Sequence, residues 1–94
     1  MLPIQWRPEA SADLATIIGY IAERNDVAAL ELQQDIEYAV SQLPQHPYLY
    51  RLGRAHGTRE MVVHPNYLVV YQVESAVIEI VAVVHARQQY PKMR

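Results

Sequence analysis

Two arginines and four histidines are the residues of this chain whose types and positions suit chemistry on an anion. Arg59 lies inside an apolar run (TREMVV), and Arg87 directly follows another (VAVVHAR). If both runs are strands of one sheet, the two guanidinium groups can converge on one anionic target and bind it through paired hydrogen bonds. The alternative is an internal ion pair, most simply between Arg59 and Glu79 on a neighbouring strand, which contributes little when exposed.

The histidines are His46, His56, His64 and His85, and no two of them are three or four residues apart on a predicted helix. We therefore predict no metal site. His46 and His56 lie beside prolines and glycines and are expected to be solvated loop residues. His64 precedes a turn proline and His85 follows a strand, so both belong at sheet ends. A hydrogen-bonding role and a proton-transfer role both fit such positions.

Other catalytic chemistries lack their residues in this sequence. The chain contains no cysteine, which excludes a thiolate nucleophile or thiolate metal ligand, and its three glycines cannot form a phosphate-binding loop. Ser11, Ser41 and Ser75 have no glycine neighbours of the kind that surround a nucleophilic serine. We expect no cofactor.

The first half of the chain predicts a short strand, from Leu2 to Trp6, followed by two antiparallel helices. Pro8 fits the first turn of a helix, where its missing N–H is not needed. Asn25-Asp26 interrupts the helical pattern and can cap a second helix, which Pro44 ends. Both predicted helices have apolar residues at three- and four-residue steps: Ala10, Leu14, Ile17, Ile18 and Ile21 in the first, and Ala29, Leu32, Ile36, Ala39, Val40 and Leu43 in the second.

The second half changes to the two-residue period of strands. Residues 48–57 predict a basic linker with two glycines. Strands follow at Thr58 to His64, Tyr67 to Val73 and Val77 to Val84, joined by turn sequences. The expected fold is therefore α+β, in one domain of residues 1–94, with an N-terminal strand and an antiparallel helix hairpin packed on a small, mainly antiparallel sheet.

Strict alternation in the last strand assigns its side chains to two faces. The residues expected to face the helices are Ile78, Ile80, Ala82 and Val84. The residues expected on the opposite face are Val77, Glu79, Val81, Val83 and His85. That second face is too apolar to be left in water, so a partner is expected to cover it.

The charge is distributed unevenly around a net value of −2. Residues 1–47 contain two arginines and seven acidic residues, whereas residues 48–94 contain six basic and three acidic residues. This asymmetry suits an anionic partner, although a pI of 6.0 is low for a protein that binds mainly nucleic-acid phosphates. The lack of cysteine, of a signal peptide and of any apolar run near the ~20 residues of a membrane span predicts a cytoplasmic protein without membrane contact.

Three segments resemble toxins of the ParE/RelE superfamily: WRPEASADLATIIGYIAERN (6–25), GTREMVVHPNYLVVYQV (57–73) and IEIVAVVHARQQYP (78–91). The resemblance covers nearly the whole chain, and its strand-turn-strand part with the HARQQYP ending is the most specific. It implies two helices on a small antiparallel sheet. It also implies the toxin half of a bacterial type II toxin–antitoxin pair, often a plasmid-stabilisation module, with a cognate antitoxin as partner in a hetero-oligomer.

The superfamily divides by target: ParE-like members inhibit DNA gyrase, and RelE-like members cut mRNA on the ribosome. RelE-like members have an arginine in the strand before the turn, a second arginine after the last strand and a late tyrosine. Arg87 matches the second arginine, but Val63 occupies the position of the first arginine. Tyr90 lies before the position of the tyrosine. The resemblance therefore favours a gyrase inhibitor with Arg59 and Arg87 at the target. The alternative is a ribosome-dependent nuclease with catalytic residues drawn from Arg87, Arg59, His64, His85 and Tyr90. A third reading is a relative that binds only an antitoxin.

The antitoxin is expected to bind where the helix pair and the apolar strand face offer a groove, because a small sheet needs its edges covered. The residues expected to contact it are Leu14, Ile18, Ile21, Val81 and Val83.

Overall fold

The computed structural model describes residues 1–91, in which a hairpin of two helices packs on a five-stranded sheet. In chain order the elements are β1 (Ile4–Trp6), α1 (Pro8–Ala22), α2 (Asp26–Ser41), a single 3-10 turn (Leu43–Gln45), β2 (Arg51–Leu52), β3 (Arg59–His64), β4 (Tyr67–Val73) and β5 (Ile78–His85). The strand order is β1-β5-β4-β3-β2, with β1 parallel to β5 and all other neighbours antiparallel. The predicted α+β fold is confirmed.

The helix hairpin begins at the residue that the sequence indicates, but α2 ends at Ser41 and Leu43 lies in the 3-10 turn. Pro8 lies in the first turn of α1, and the helix ends where the N–H groups of Arg24 and Asn25 both donate to the carbonyl oxygen of Ile21, at 2.9 and 2.8 Å. The Asn25 side chain then accepts a hydrogen bond from the Ala28 N–H at 3.0 Å and caps α2. The connection between the helices is short, so they pack antiparallel.

The strand boundaries differ from the predicted ones in detail. β1 begins at Ile4 instead of Leu2, β3 at Arg59 instead of Thr58, and β5 at Ile78 instead of Val77. The predicted linker 48–57 contains the edge strand β2, which pairs with the start of β3. None of the helices in residues 1–91 has both the length and the apolarity needed to cross a membrane.

The main core lies between the helices and the sheet. Its buried side chains come from every layer: Ala10, Leu32, Ile36, Val40, Leu43, Met61, Val69, Tyr71, Ile78, Ile80 and Val83. Tyr71 is the largest of them, and its hydroxyl donates to the carbonyl oxygen of Pro47 at 2.7 Å. Burial raises the pKa of Tyr71 to about 12. This hydrogen bond connects the middle of the sheet to the segment that follows the 3-10 turn.

A β-bulge in β5 corrects the predicted assignment of faces. Val70 lies opposite Ala82, but the next residue, Tyr71, lies opposite Ile80, so Val81 is an extra residue without a cross-strand partner. One extra residue reverses the alternation of side chains beyond it. Ile78 and Ile80 face the helices as predicted, whereas beyond the bulge Val83 does so. The prediction that Ala82 and Val84 face the helices is wrong.

The opposite face of the sheet is covered by the chain itself. Leu68, Val70, Ala82 and Val84 form a second buried cluster, on which Val81 and Tyr90 pack. Residues after β5 therefore turn back across this face, and the carbonyl oxygen of Gln88 accepts a hydrogen bond from Arg54 at 3.3 Å. This cluster is not the set Val77, Glu79, Val81, Val83 and His85 that was expected to need a partner, and coverage of this face by a partner stays a prediction.

Candidate functional site

Two histidines and a tyrosine meet at one end of the sheet. β3 and β5 are each antiparallel to β4, so both end at the same side, where β4 begins. The Tyr67 ring lies between the two imidazoles, with its centroid 5.7 Å from that of His64 and 5.3 Å from that of His85. The prediction that both histidines lie at sheet ends is confirmed, and the structure brings them to the same end.

Each imidazole of this cluster is held by the backbone two residues further along. Nδ1 of His64 accepts a hydrogen bond from the Asn66 N–H at 3.0 Å, and Nδ1 of His85 accepts one from the Arg87 N–H at 3.1 Å. In the neutral imidazole the proton must then be on Nε2. The Arg87 side chain is exposed beside this turn, and none of residues 1–91 holds its guanidinium. The cluster can therefore offer Nε2–H donors and one cation to an anion.

Arg59 lies at the other end of β3. Five residue steps separate it from His64, which is roughly 16 Å along an extended strand. Its guanidinium donates to the carbonyl oxygens of Tyr50 at 2.8 Å and Tyr48 at 3.3 Å, and lies 5.1 Å from the centre of the Tyr48 ring. The two guanidinium groups therefore lie at different ends of the sheet and do not converge on one anionic group, while contact of both arginines with one target protein stays a prediction.

The predicted ion pair of Arg59 with Glu79 is also wrong. Glu79 pairs instead with Arg7, at 2.8 Å, and the Arg7 guanidinium also donates to Gln72 at 3.2 Å. Arg7 directly follows β1, which is parallel to β5 and ends beside Ile80. The sequence prediction had no role for Arg7, because the parallel pairing of β1 with β5 joins residues about seventy positions apart.

Tyr90 lines a different cavity from the histidine cluster. This cavity, of about 360 Å³, lies on the outer face of the sheet beside Arg7, Asp13 and Val81. Partial burial raises the pKa of Tyr90. The phenol is therefore neutral at pH 7, and the cavity that it lines includes neither His64 nor His85.

The residues expected to contact an antitoxin lie in three different environments. Leu14 and Ile18 line an apolar groove of about 610 Å³ along α1, together with Trp6, Ala15 and Gly19. Ile21 packs against the core near the end of α1, and Val81 lines the cavity beside Tyr90. Val83 is only 2% exposed, and its N–H donates to the Asp13 carboxylate at 3.1 Å. The prediction that Val83 faces away from the helices is therefore wrong, and its contact with an antitoxin stays a prediction.

A buried carboxylate organises the opposite edge of the sheet. The Glu60 side chain is only 2% exposed, and it accepts hydrogen bonds from Arg51 at 3.2 Å, from the Arg54 guanidinium at 3.1 Å and from the Arg54 N–H at 3.0 Å. Burial alone raises the pKa of a carboxyl, but these hydrogen bonds outweigh it and hold the pKa of Glu60 below its usual value. Glu60 thus holds the side chains of Arg51 and Arg54, which belong to the segment 48–57 that was predicted to be a linker.

Sequence reasoning missed this edge because its contacts are made by side chains that local patterns do not pair. The run YLYRLGR contains two tyrosines and two arginines, residue types enriched at binding surfaces, and that composition was the only available signal. Within residues 1–91, no group of three or more acidic, histidine or cysteine side chains is placed to hold a metal ion.

Comparison with known proteins places the chain in a family. The model of the ParE toxin of the type II toxin–antitoxin system parDE matches residues 4–90. The chain belongs to the ParE toxin family. It is thus a type II toxin of the ParE/RelE superfamily, as the resemblance predicted. The toxin RelE2 of Caulobacter vibrioides is 34% identical over 86 residues, which cover 92% of this chain and 97% of that protein.

Solved structures of this superfamily share the fold. The chromosomal ParDE system from P. aeruginosa matches with a TM-score of 0.82 at 24% identity, over 90% of this chain and 96% of the other. YafQ from E. coli matches with a TM-score of 0.62 at 13% identity, over 92% and 94% of the two chains. These likenesses confirm the two-helix, five-strand architecture.

Proposed function

We propose that this toxin inhibits DNA gyrase in the cytoplasm and is neutralised by a cognate antitoxin, as part of an addiction module that stabilises a plasmid or a chromosomal segment. Membership of the ParE family supports gyrase as the target, because the resemblance associates that branch with gyrase. Arg87 is the target-binding arginine in this proposal, since its guanidinium is exposed at the end of the sheet.

Two of the five residues of the nuclease alternative, Arg59 and Tyr90, lie away from the other three. Cleavage through the 2′-hydroxyl requires a base, an acid and a cation at one phosphate. Arg59 is roughly 16 Å along β3 from His64. Tyr90 packs on the opposite face of the sheet. His64, His85 and Arg87 lie together and have the chemical types of a base, an acid and a cation, so the observation that carries the choice of gyrase is the match to the ParE toxin model.

The test is a comparison of two purified systems. With gyrase, relaxed plasmid and ATP, the toxin should block supercoiling and increase the amount of cleaved DNA. With ribosomes translating a defined mRNA, the message should remain intact. Inhibition of gyrase by a co-purified contaminant is controlled by adding the antitoxin, which should restore supercoiling. Cleaved mRNA together with unaffected gyrase would reverse the choice of target.

The histidine cluster favours one second candidate, a ribosome-dependent mRNA nuclease. His64 and His85 present their Nε2 atoms at the same sheet end as Arg87. The RelE name of the Caulobacter relative is consistent with this alternative. In a nuclease, Arg87→Ala should reduce cleavage by about 10²–10³-fold while sparing ribosome binding. In a gyrase inhibitor the same change should weaken association itself.

The antitoxin is proposed to place a helical segment in the groove along α1, where Leu14 and Ile18 give an apolar floor. α2 supplies the rim with Gln33 and Glu37, and all four of its charged residues are acidic, so a basic amphipathic helix is the complementary partner. Gly19 lies in this groove, and a Cβ built there would have no heavy atom within 4 Å. Internal packing therefore does not explain a glycine inside the helix.

Substitution of Gly19 separates stability from binding. Gly19→Ala should stabilise the toxin by about 0.5–1 kcal/mol, because alanine is the better helix former. Gly19→Leu should fill the groove and weaken the antitoxin complex at least about tenfold, as measured by titration calorimetry. Ala12→Leu is the matched control, since Ala12 is exposed on α1 outside the groove lining. Equal affinity of the Gly19→Leu and Ala12→Leu variants would place the antitoxin elsewhere.

A further inference from the structure

Residues 47–54, which we call the anchored loop, are held by side chains that come from the middle of the sheet. The Tyr71 hydroxyl donates to the carbonyl oxygen of Pro47 at 2.7 Å. The Arg59 guanidinium donates to the carbonyl oxygens of Tyr48 and Tyr50. Two strand residues therefore supply three hydrogen bonds to the backbone of one surface segment. Apart from the two residues of β2, this segment has no regular secondary structure.

The other end of the anchored loop is fixed just as firmly. Glu60 binds the Arg51 and Arg54 side chains and the Arg54 N–H, and the Gly53 N–H donates to the carbonyl oxygen of Thr58 at 2.7 Å. A Cβ at Gly53 would overlap the Thr58 hydroxyl, so this approach requires glycine. The loop therefore has a defined conformation before any partner arrives.

The side chains of the anchored loop face outward in spite of these anchors. Tyr48 is 65% exposed, Leu49 67% and Leu52 75%. The side chains of Arg51 and Arg54 remain 62% and 42% exposed. Arg59 and the buried residues Glu60 and Tyr71 thus fix a solvent-exposed surface of tyrosine, leucine and arginine side chains. Tyrosine and arginine are enriched at protein interfaces, exposed leucines add apolar area, and a fixed conformation lowers the entropy lost on binding.

We infer that the anchored loop is a surface, additional to Arg87, by which this toxin binds its protein target, and that it fits an acidic patch of gyrase with an apolar centre. This inference rests on the proposed function and adds the contact surface to it. Arg51 and Arg54 share one carboxylate, that of Glu60, so the loop keeps a net positive charge on a chain whose net charge is −2. A partner with an acidic surface complements this charge. The leucines supply the apolar contact.

A protein fits this surface better than RNA does. One face of the Tyr48 ring is already covered by the Arg59 guanidinium, which limits the stacking of bases on it. Leu49 and Leu52, the most exposed apolar side chains of the loop, neither stack on bases nor form hydrogen bonds. Together these features favour an apolar protein surface with an acidic rim.

The experiment measures the toxin concentration that half-inhibits supercoiling by purified gyrase. Leu52→Glu and Leu49→Glu should each raise it about 30-fold or more, the loss typical of an interface hot spot. The half-inhibiting concentration of Leu52→Lys should be about tenfold lower than that of Leu52→Glu. Both variants lose the leucine, but only the glutamate is repelled by an acidic partner. Leu30→Glu is the control, since Leu30 is an exposed leucine (56%) on α2. Circular dichroism should show that all four variants are folded.

The outcomes separate the inference from the proposed function. If wild-type toxin leaves gyrase unaffected, the proposed function is wrong and the inference about gyrase falls with it. If wild type inhibits but the Leu49 and Leu52 variants inhibit equally well, only the inference is wrong. It is equally overturned if these variants lose antitoxin binding or ribosome binding while still inhibiting gyrase, or if Leu52→Lys is as weak as Leu52→Glu.

Discussion

Ile80→Asp should abolish folding of this toxin and with it toxicity. Ile80 is fully buried between β1 and β4, opposite Trp6 and Tyr71, and belongs to the core under the helices. An unpaired carboxylate at this position costs about 4 kcal/mol or more, either as a buried charge or as the price of protonation. Small domains have only about 5–15 kcal/mol of stability in total, so a loss of this size leaves little or none to a domain at the lower end of that range.

Urea unfolding followed by circular dichroism measures this effect, and Val62→Asp is its matched control. Val62 is a β-branched residue of β3 that is 57% exposed, so the aspartate there remains in water. Its cost should be about 1 kcal/mol or less, mainly through strand propensity. If the two variants had similar unfolding midpoints, Ile80 would not be in the core as the strand pairing places it.

Glu60→Gln should destabilise the protein by about 2 kcal/mol at pH 7, because hydrogen bonds to a buried charged group are worth more than neutral ones. The amide retains the shape of the side chain and one acceptor oxygen, but it cannot accept from both arginines as the carboxylate does. The arginines are themselves partly exposed, which keeps the expected cost below that of a fully buried ion pair.

The same substitution should remove an acid-dependent part of the stability. The pKa of Glu60 is lower in the folded protein than its usual value of 4.5, so the folded state binds fewer protons than the unfolded one. This contribution is therefore fully present above pH 4.5 and is lost as the pH falls towards the folded-state pKa. Urea midpoints of wild type and Glu60→Gln should differ at pH 7 and converge below pH 4.5.

Glu31→Gln provides the control for this pH series. Glu31 is exposed on α2, and its substitution should change stability by less than about 0.5 kcal/mol at every pH. A difference between wild type and Glu60→Gln that stayed constant from pH 7 to pH 3 would contradict the assignment of the low pKa to Glu60. Because Glu60 holds the anchored loop, Glu60→Gln should also weaken gyrase inhibition at neutral pH.

The sequence by itself determined the elements and their approximate bounds. The apolar stripe from Ala10 to Ile21 repeats at helical spacing and was enough to predict α1, and the β-branched and aromatic residues from Tyr67 to Val73 were enough to predict β4. Capping is equally local, which is why Asn25 was recognised as the start of α2. The resemblance of three segments to known toxins indicated the superfamily, because those segments cover nearly the whole chain.

The tertiary structure decided which side of the sheet the β5 side chains occupy beyond the bulge, and which residues come together in the histidine cluster and around Glu60. Nothing in IEIVAVVHA indicates that Val81 is left without a cross-strand partner. That single bulge moves Val83 into the core and Ala82 and Val84 to the other face. The partners of the charged groups also follow from topology. Arg7 reaches Glu79 only because β1 pairs with β5, and Arg59 is held by a loop eleven residues before it. Local periodicity specifies which face a residue occupies within its own element, whereas the neighbours across that face depend on how distant parts of the chain meet.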